Sequence, residues 1–79
     1  MGIEIKIDTK TNTGELVRLL LYRKKVSIAE LARRMKELSQ VKYTRFNVRA
    51  KIERNSLKFS EMVLICDILG YKLDLKEIG

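Results

Sequence analysis

The residues best suited to specific chemistry lie in one short basic segment, 44–54 (TRFNVRAKIER). At about 100° per residue in a helix, Val48 and Ile52 fall on one side and Ala50 lies almost opposite them. The outward side then offers an amide, guanidinium groups and an aromatic ring. Asparagine can pair bidentately with adenine, arginine can pair with guanine, and an apolar ring can contact a thymine methyl group. The residues predicted to contact base edges are Arg45, Phe46, Asn47, Arg49, Ala50 and Arg54.

Further residues near this segment could bind phosphates through side chains or through backbone N–H groups at the start of the helix. The predicted phosphate contacts are Lys42, Tyr43, Thr44, Lys51, Arg33 and Arg34. Residues 18–58 hold thirteen Lys or Arg and three acidic residues, a net charge of +10, in a chain whose total is +7. A basic middle between mildly acidic ends favours an anionic polymer as partner.

Four helices are predicted to position these side chains. Asn12, Ser27, Thr44 and Ser60 each precede a stretch with helical apolar spacing and are predicted to cap it. Gly70 is predicted to end the last helix. The predicted helices are 14–24, 28–38, 44–54 and 60–69.

Both ends of the chain alternate apolar and charged residues, which predicts β-strands at 3–8 and 71–77. A lone strand leaves its backbone groups unpaired. We therefore expect these strands to pair with each other, either within one chain or across a dimer. The expected fold is mainly α, with a four-helix core and short terminal strands, in a single domain spanning 1–79.

Several functional classes are disfavoured by composition. The chain has one cysteine, Cys66, and no histidine, so an intrachain disulfide is impossible and a metal site is not expected. No apolar run approaches the roughly 18 residues of a membrane span, and no glycine-rich phosphate loop or nucleophile–base pair occurs. We expect a cytoplasmic protein that is not an enzyme, with no cofactor, no membrane partner and no small-molecule substrate.

Three motifs follow one another in helical context: Ser-x-x-Glu-Leu-Ala from Ser27, Thr-x-x-Asn-Val-x-x-Lys-Ile-x-Arg from Thr44, and Ser-Glu-x-x-x-Ile-x-x-x-Leu-Gly-Tyr from Ser60. In this order they resemble the Cro and phage-repressor (Xre-like) type of helix-turn-helix regulator over roughly 15–71. The resemblance implies a lambda-repressor-like core, a recognition helix at 44–54 and a homodimer on double-stranded DNA, joined through the terminal strands. The connector 36–43 departs from the family, because it is longer and lacks glycine. It could form an extra DNA-contacting loop.

The leading hypothesis is therefore a sequence-specific DNA-binding transcriptional regulator, a Cro-like or repressor-like homodimer. The alternative is a protein-interaction module, such as an antitoxin-like or adaptor component, whose basic surface meets an acidic protein. That alternative needs an exposed apolar patch, which the terminal strands could supply. RNA binding is less favoured, because the aromatic residues are scattered along the chain rather than gathered on a stacking platform.

Overall fold

The computed structural model describes residues 12–73, which form four helices. These are α1 (Thr13–Lys24), α2 (Ile28–Ser39), α3 (Arg45–Glu53) and α4 (Phe59–Leu69). The predicted mainly helical fold with four helices is confirmed, and every helix end lies within one residue of its predicted position. The principal packing is of α2 against α3 and α4, and of α1 against the same two helices.

The predicted terminal strands are not supported by the described residues, since no strand occurs between 12 and 73. Residues 71–73, the start of the predicted strand 71–77, continue the ending of α4 instead. The backbone N–H of Tyr71 donates to the carbonyl of Cys66 at 2.8 Å, while Gly70 adopts φ 80°, the left-handed conformation that closes many helices. Residues 74–77 and the strand predicted at 3–8 lie outside the described range.

Side chains set the start of the first three helices. In each case a side-chain oxygen accepts a hydrogen bond from the backbone N–H three residues later, at 3.0, 3.1 and 3.2 Å in turn. The capping residues are Asn12, Ser27 and Thr44. Each bond satisfies one of the N–H groups that a helix start leaves without an intrahelical partner.

The fourth helix begins differently, and the prediction that Ser60 caps it is wrong. Ser60 is already helical, and Lys58 is the N-cap residue. Lysine has no side-chain acceptor, so the bond at this helix start runs from the backbone of the N-cap residue to a side chain inside the helix. The carboxylate of Glu61 accepts the backbone N–H of Lys58 at 2.8 Å.

A single hydrophobic core joins the four helices. Every helix contributes between two and four buried apolar side chains, and full burial of each Val, Leu, Ile or Met among them contributes about 1.5–3 kcal/mol. The core consists of Val17, Leu20, Leu21, Leu31, Ala32, Met35, Val48, Ile52, Met62, Ile65, Cys66 and Leu69. Because α3 supplies only Val48 and Ile52, one narrow stripe anchors it and most of its surface faces outward.

A close backbone contact fixes the far end of α3 against α1. The N–H of Gly14 donates to the side-chain carbonyl of Asn55 at 2.9 Å. A Cβ atom at Gly14 would lie only 2.1 Å from the carbonyl oxygen of Ile52. Only glycine fits this position, so the contact sets the distance between the start of α1 and the end of α3.

The connector between α2 and α3 spans 40–44 and is as long as the gap between the predicted helices 28–38 and 44–54. The long connector 36–43, by which the chain was expected to depart from the family, is wrong in its first half, because α2 continues to Ser39. Gln40 takes the left-handed conformation at φ 63°, where glycine is the commoner residue. The Ser39 hydroxyl donates to the carbonyl of Met35 at 2.6 Å and accepts the N–H of Val41 at 3.2 Å. These bonds join the helix end to the connector.

Candidate nucleic-acid interface

The exposed side of α3 is centred on its first two turns. Phe46, Arg49 and Glu53 are all exposed and share one face, because they are three and four residues apart. Ala50, predicted at the centre of that face, is instead half-buried. The basic character therefore belongs to the N-terminal half of α3, and the acidic Glu53 lies at its last turn.

Arg45 and Phe46 form a stacked pair at the start of α3. The guanidinium carbon of Arg45 lies 4.8 Å from the centroid of the Phe46 ring, within the roughly 6 Å range of a cation–π interaction. The Phe46 side chain is 71% exposed, and Arg45 makes no ion pair with any residue between 12 and 73. A large ring and a free guanidinium thus point into solvent together.

The Asn47 side chain, predicted to contact a base, holds the start of α3 in this structure. Its side-chain oxygen accepts the N–H of Thr44 at 2.9 Å, and its amide nitrogen donates to the carbonyl of Lys42 at 3.2 Å. With the Thr44 cap these bonds form a reciprocal capping box. Bidentate pairing with adenine uses both ends of the same amide, so base contact by Asn47 would require both bonds to be exchanged.

Tyr43 and Lys51, two of the predicted phosphate contacts, face inward toward α4. Both reach the carboxylate of Glu61, which is only 5% exposed. The Tyr43 hydroxyl donates to it at 2.9 Å and the Lys51 ammonium group lies 3.1 Å away. With the Lys58 backbone N–H at 2.8 Å, the buried carboxylate has three donors from three segments of the chain.

The surroundings of Glu61 stabilise its charged form. Burial alone would raise the pKa of Glu61, but hydrogen bonds from Lys58, Lys51 and Tyr43 lower it below its ordinary value. Burial and the adjacent carboxylate both raise the pKa of the Tyr43 phenol. This buried cluster was not predicted from the sequence. The sequence feature that could have indicated it is an acidic residue three positions after the N-cap of a mostly apolar helix.

Arg33 and Arg34 are paired with acidic residues on their own helix. Arg33 lies 2.6 Å from Glu37, Arg34 lies 3.0 Å from Glu30, and both arginines share Glu30. A hydrogen bond from Arg33, and a smaller effect of the hydrogen bond from Arg34, lower the pKa of Glu30 from 4.5 to about 2. The pairing with Glu30 also raises the pKa of Arg33. Exposed pairs of this kind are weak, yet they leave less free positive charge on α2 than the sequence predicts.

Of the twelve predicted contacts, the structure brings together four around the start of α3 whose side chains form no ion pair within residues 12–73. They are Lys42, Arg45, Phe46 and Arg49. Thr44 and Asn47 hold the helix start between them, and Arg54 lies at the opposite end as the C-cap residue. The arrangement is a basic tip with one exposed ring, suited to hydrogen-bonding and stacking with an anionic, base-bearing ligand.

Other site types have no counterpart in the described part of the chain. Between 12 and 73 no group of three or more His, Cys, Asp or Glu residues could hold a metal ion. Cys66 is buried, and burial raises the pKa of its thiol, which lowers the fraction of reactive thiolate. No helix in this range is long and apolar enough to span a membrane. In comparisons with known proteins, no family model, curated protein or solved structure matches the chain.

Proposed function

We propose that this protein is a sequence-specific regulator that binds double-stranded DNA and inserts α3 into the major groove. One observation carries the proposal. Val48 and Ile52 anchor α3 in the core at no more than 1% exposure, while Arg45, Phe46 and Arg49 face outward from its N-terminal half. In helix-turn-helix proteins the N-terminal residues of the second motif helix contact base edges.

The pairing of α2 with α3 supports this proposal. The two helices pack against each other and are joined by the short connector 40–44, as expected for a lambda-repressor-like helix-turn-helix unit. An α-helix with side chains is about 10–12 Å across, which matches a major groove about 12 Å wide. The excess of positive charge supplies phosphate attraction that does not depend on sequence.

We further propose that the protein acts as a homodimer in the manner of Cro-like repressors. The nine residues of α3 can contact only a few base pairs, and two half-sites multiply specificity. The terminal strands predicted to join the subunits lie outside the described residues, so the mode of association stays a prediction. Sedimentation equilibrium at micromolar concentration tests it, and a chain that is monomeric both alone and on DNA would contradict it.

Selection from a random double-stranded DNA library at about 0.15 M salt tests the binding proposal. Wild type should recover a motif with two-fold symmetry. Arg49→Gln should lose part of that motif, because the Arg49 guanidinium lies on the exposed face of α3. Arg23→Gln, which removes the same charge from the last turn of α1, is the matched control and should recover the wild-type motif. Asn47 is a poor choice for this test, because its substitution would also break its half of the capping box with Thr44.

The proposal fails if wild type recovers no motif and its binding disappears as salt rises. Purely electrostatic binding has a steep salt dependence, with a slope near −0.9 per phosphate contacted. If Arg49→Gln recovers the full wild-type motif, the assignment of α3 as the reading helix is wrong even though DNA binding stands.

A protein-interaction module remains the second candidate, because α4 has exposed apolar side chains of its own. Phe59 and Val63 lie one turn apart and are 75% and 36% exposed, and Leu73 is exposed shortly after the helix. Large exposed apolar groups often belong to binding surfaces. This candidate predicts no recovered DNA motif, together with self-association or partner binding that Phe59→Ser weakens and Arg49→Gln leaves intact.

A further inference from the structure

We infer that Arg45 and Phe46 act as one reading unit for a guanine beside a base that carries a 5-methyl group, either thymine or 5-methylcytosine. The inference rests on the proposed DNA-binding function and names the base step that the start of α3 would select.

The distance between the two groups matches that of neighbouring bases. Guanidinium pairs bidentately with the N7 and O6 atoms of guanine, and an apolar ring contacts a pyrimidine 5-methyl group. The Arg45 guanidinium carbon and the Phe46 ring centroid lie 4.8 Å apart. Neighbouring bases are about 3.4 Å apart along the helix axis, and bases two steps apart about 7 Å. The pair therefore spans adjacent bases.

The stacked pair is also preorganised for binding. The Phe46 ring supports the planar guanidinium of Arg45, which restricts a long side chain before DNA arrives. A side chain already held near its bound geometry loses less entropy on binding. The stack also leaves the ring itself 71% exposed, so the ring can contact a methyl group while the guanidinium pairs with the next base.

The neighbouring side chains are already bonded or packed within the protein. Asn47 is held in the capping box by bonds to Thr44 and Lys42, and Ala50 is half-buried. Arg45 and Phe46 are the first two residues of α3, the end that contacts bases in helix-turn-helix proteins. Neither side chain is held by such bonds within residues 12–73, so both can contact bases, with Arg49 exposed one turn further along.

The test begins with the site that wild type selects from the random library. In a synthetic duplex of that site, the thymine beside the guanine is replaced by deoxyuridine, which removes only the methyl group. A second pair of duplexes carries cytosine or 5-methylcytosine at this position. Affinities are measured by fluorescence anisotropy at fixed salt, and folding of every variant is checked by circular dichroism.

We expect the uracil duplex to bind about fourfold more weakly, the effect of burying one methyl group, and 5-methylcytosine to exceed cytosine by a similar factor. Replacing the guanine should cost about 5- to 150-fold. Phe46→Ala should bind thymine and uracil duplexes equally. Arg45→Lys, which keeps the charge but not the planar fork, should weaken the guanine preference. Phe59→Ala removes an equally exposed ring on α4 and should keep the thymine preference.

Three results would each overturn the inference and leave the proposed function intact. The first is a recovered motif with no guanine beside a 5-methyl pyrimidine. The second is equal binding of thymine and uracil duplexes by wild type, and the third is an unchanged thymine preference in a folded Phe46→Ala protein. Failure to recover any motif would instead overturn the proposed function and the inference together.

Discussion

Replacement of Glu61 by alanine should destabilise the fold more than removal of any other acidic side chain between 12 and 73. Glu61 is the one buried charged residue of that range, at 5% exposure. Its carboxylate accepts hydrogen bonds from Tyr43, Lys51 and Lys58, and thereby connects the α2–α3 connector, α3 and the start of α4. The substitution leaves all three donors without their acceptor.

The magnitude follows from how easily each donor can reach water. A buried donor left unsatisfied costs about 1–3 kcal/mol, and breaking a buried ion pair costs about 3–5 kcal/mol. Lys51 keeps 30% side-chain exposure and Tyr43 is half-buried, so both can partly turn outward. We therefore expect a loss near the lower end, about 3 kcal/mol in the free energy of unfolding. For a domain of this size that lowers Tm by about 12–24 °C.

Urea denaturation at pH 7 measures the effect, with Glu53→Ala as the matched control. Glu53 is exposed and forms no ion pair within the described residues, so its removal should change stability by less than about 0.5 kcal/mol. Glu61→Gln keeps an acceptor for one donor, so its free energy of unfolding should fall by about half as much as that of Glu61→Ala. Equal stability of Glu61→Ala and Glu53→Ala would refute the reasoning that this carboxylate holds the three segments together.

Three further predictions concern the same scaffold. Gly14→Ala should lower the free energy of unfolding by at least about 2 kcal/mol, measured by thermal unfolding, because its methyl group would lie 2.1 Å from the carbonyl oxygen of Ile52. Helix propensity alone predicts a gain in stability of about 1 kcal/mol. A variant more stable than wild type would therefore contradict the contact. Asn47→Ala should lower the free energy of unfolding by about 1 kcal/mol, and Asn47→Asp should lower it much less. Equal urea midpoints for wild type and Asn47→Ala would contradict the capping box. The lowered pKa of Glu30, about 2, gives stabilisation that is complete above about pH 4.5 and lost as pH falls toward 2. The lowered pKa of Glu61 adds stabilisation that is likewise lost as pH falls below the ordinary value of a glutamate. Thermal scans across this range check it, and a flat Tm contradicts it.

Local signals carried most of the helical prediction. Asn12, Ser27 and Thr44 each combine a capping side chain with apolar spacing behind it, and all three cap helices in the structure. The Ser60 prediction used the same signal and was wrong, because Glu61 could close the helix from its third position. A capping serine and a capping carboxylate one residue apart compete for the same helix start, and tertiary burial of the carboxylate decides between them.

Long-range contacts were beyond the reach of the sequence. Nothing in the spacing of Gly14 and Asn55 reveals that they meet across 41 positions. Likewise, Tyr43 and Lys51 have the residue types of phosphate ligands, and only the position of α4 turns them toward Glu61. Charge and residue type identify groups able to bind an anion, but partners from distant segments decide which of those groups are free.

The same contacts separate the residues that hold α3 from those that could read DNA. Val48 and Ile52 anchor it in the core, Asn47 closes its start, and Lys51 ties its side to α4. Arg45, Phe46 and Arg49 take part in none of these bonds. Exchange of these three residues should therefore change the selected DNA motif while altering unfolding free energy by less than about 1.5 kcal/mol, since surface substitutions are each within about 0.5 kcal/mol. Library selection and urea denaturation of one set of variants would show it. Large stability losses would mean that the start of α3 is also part of the scaffold.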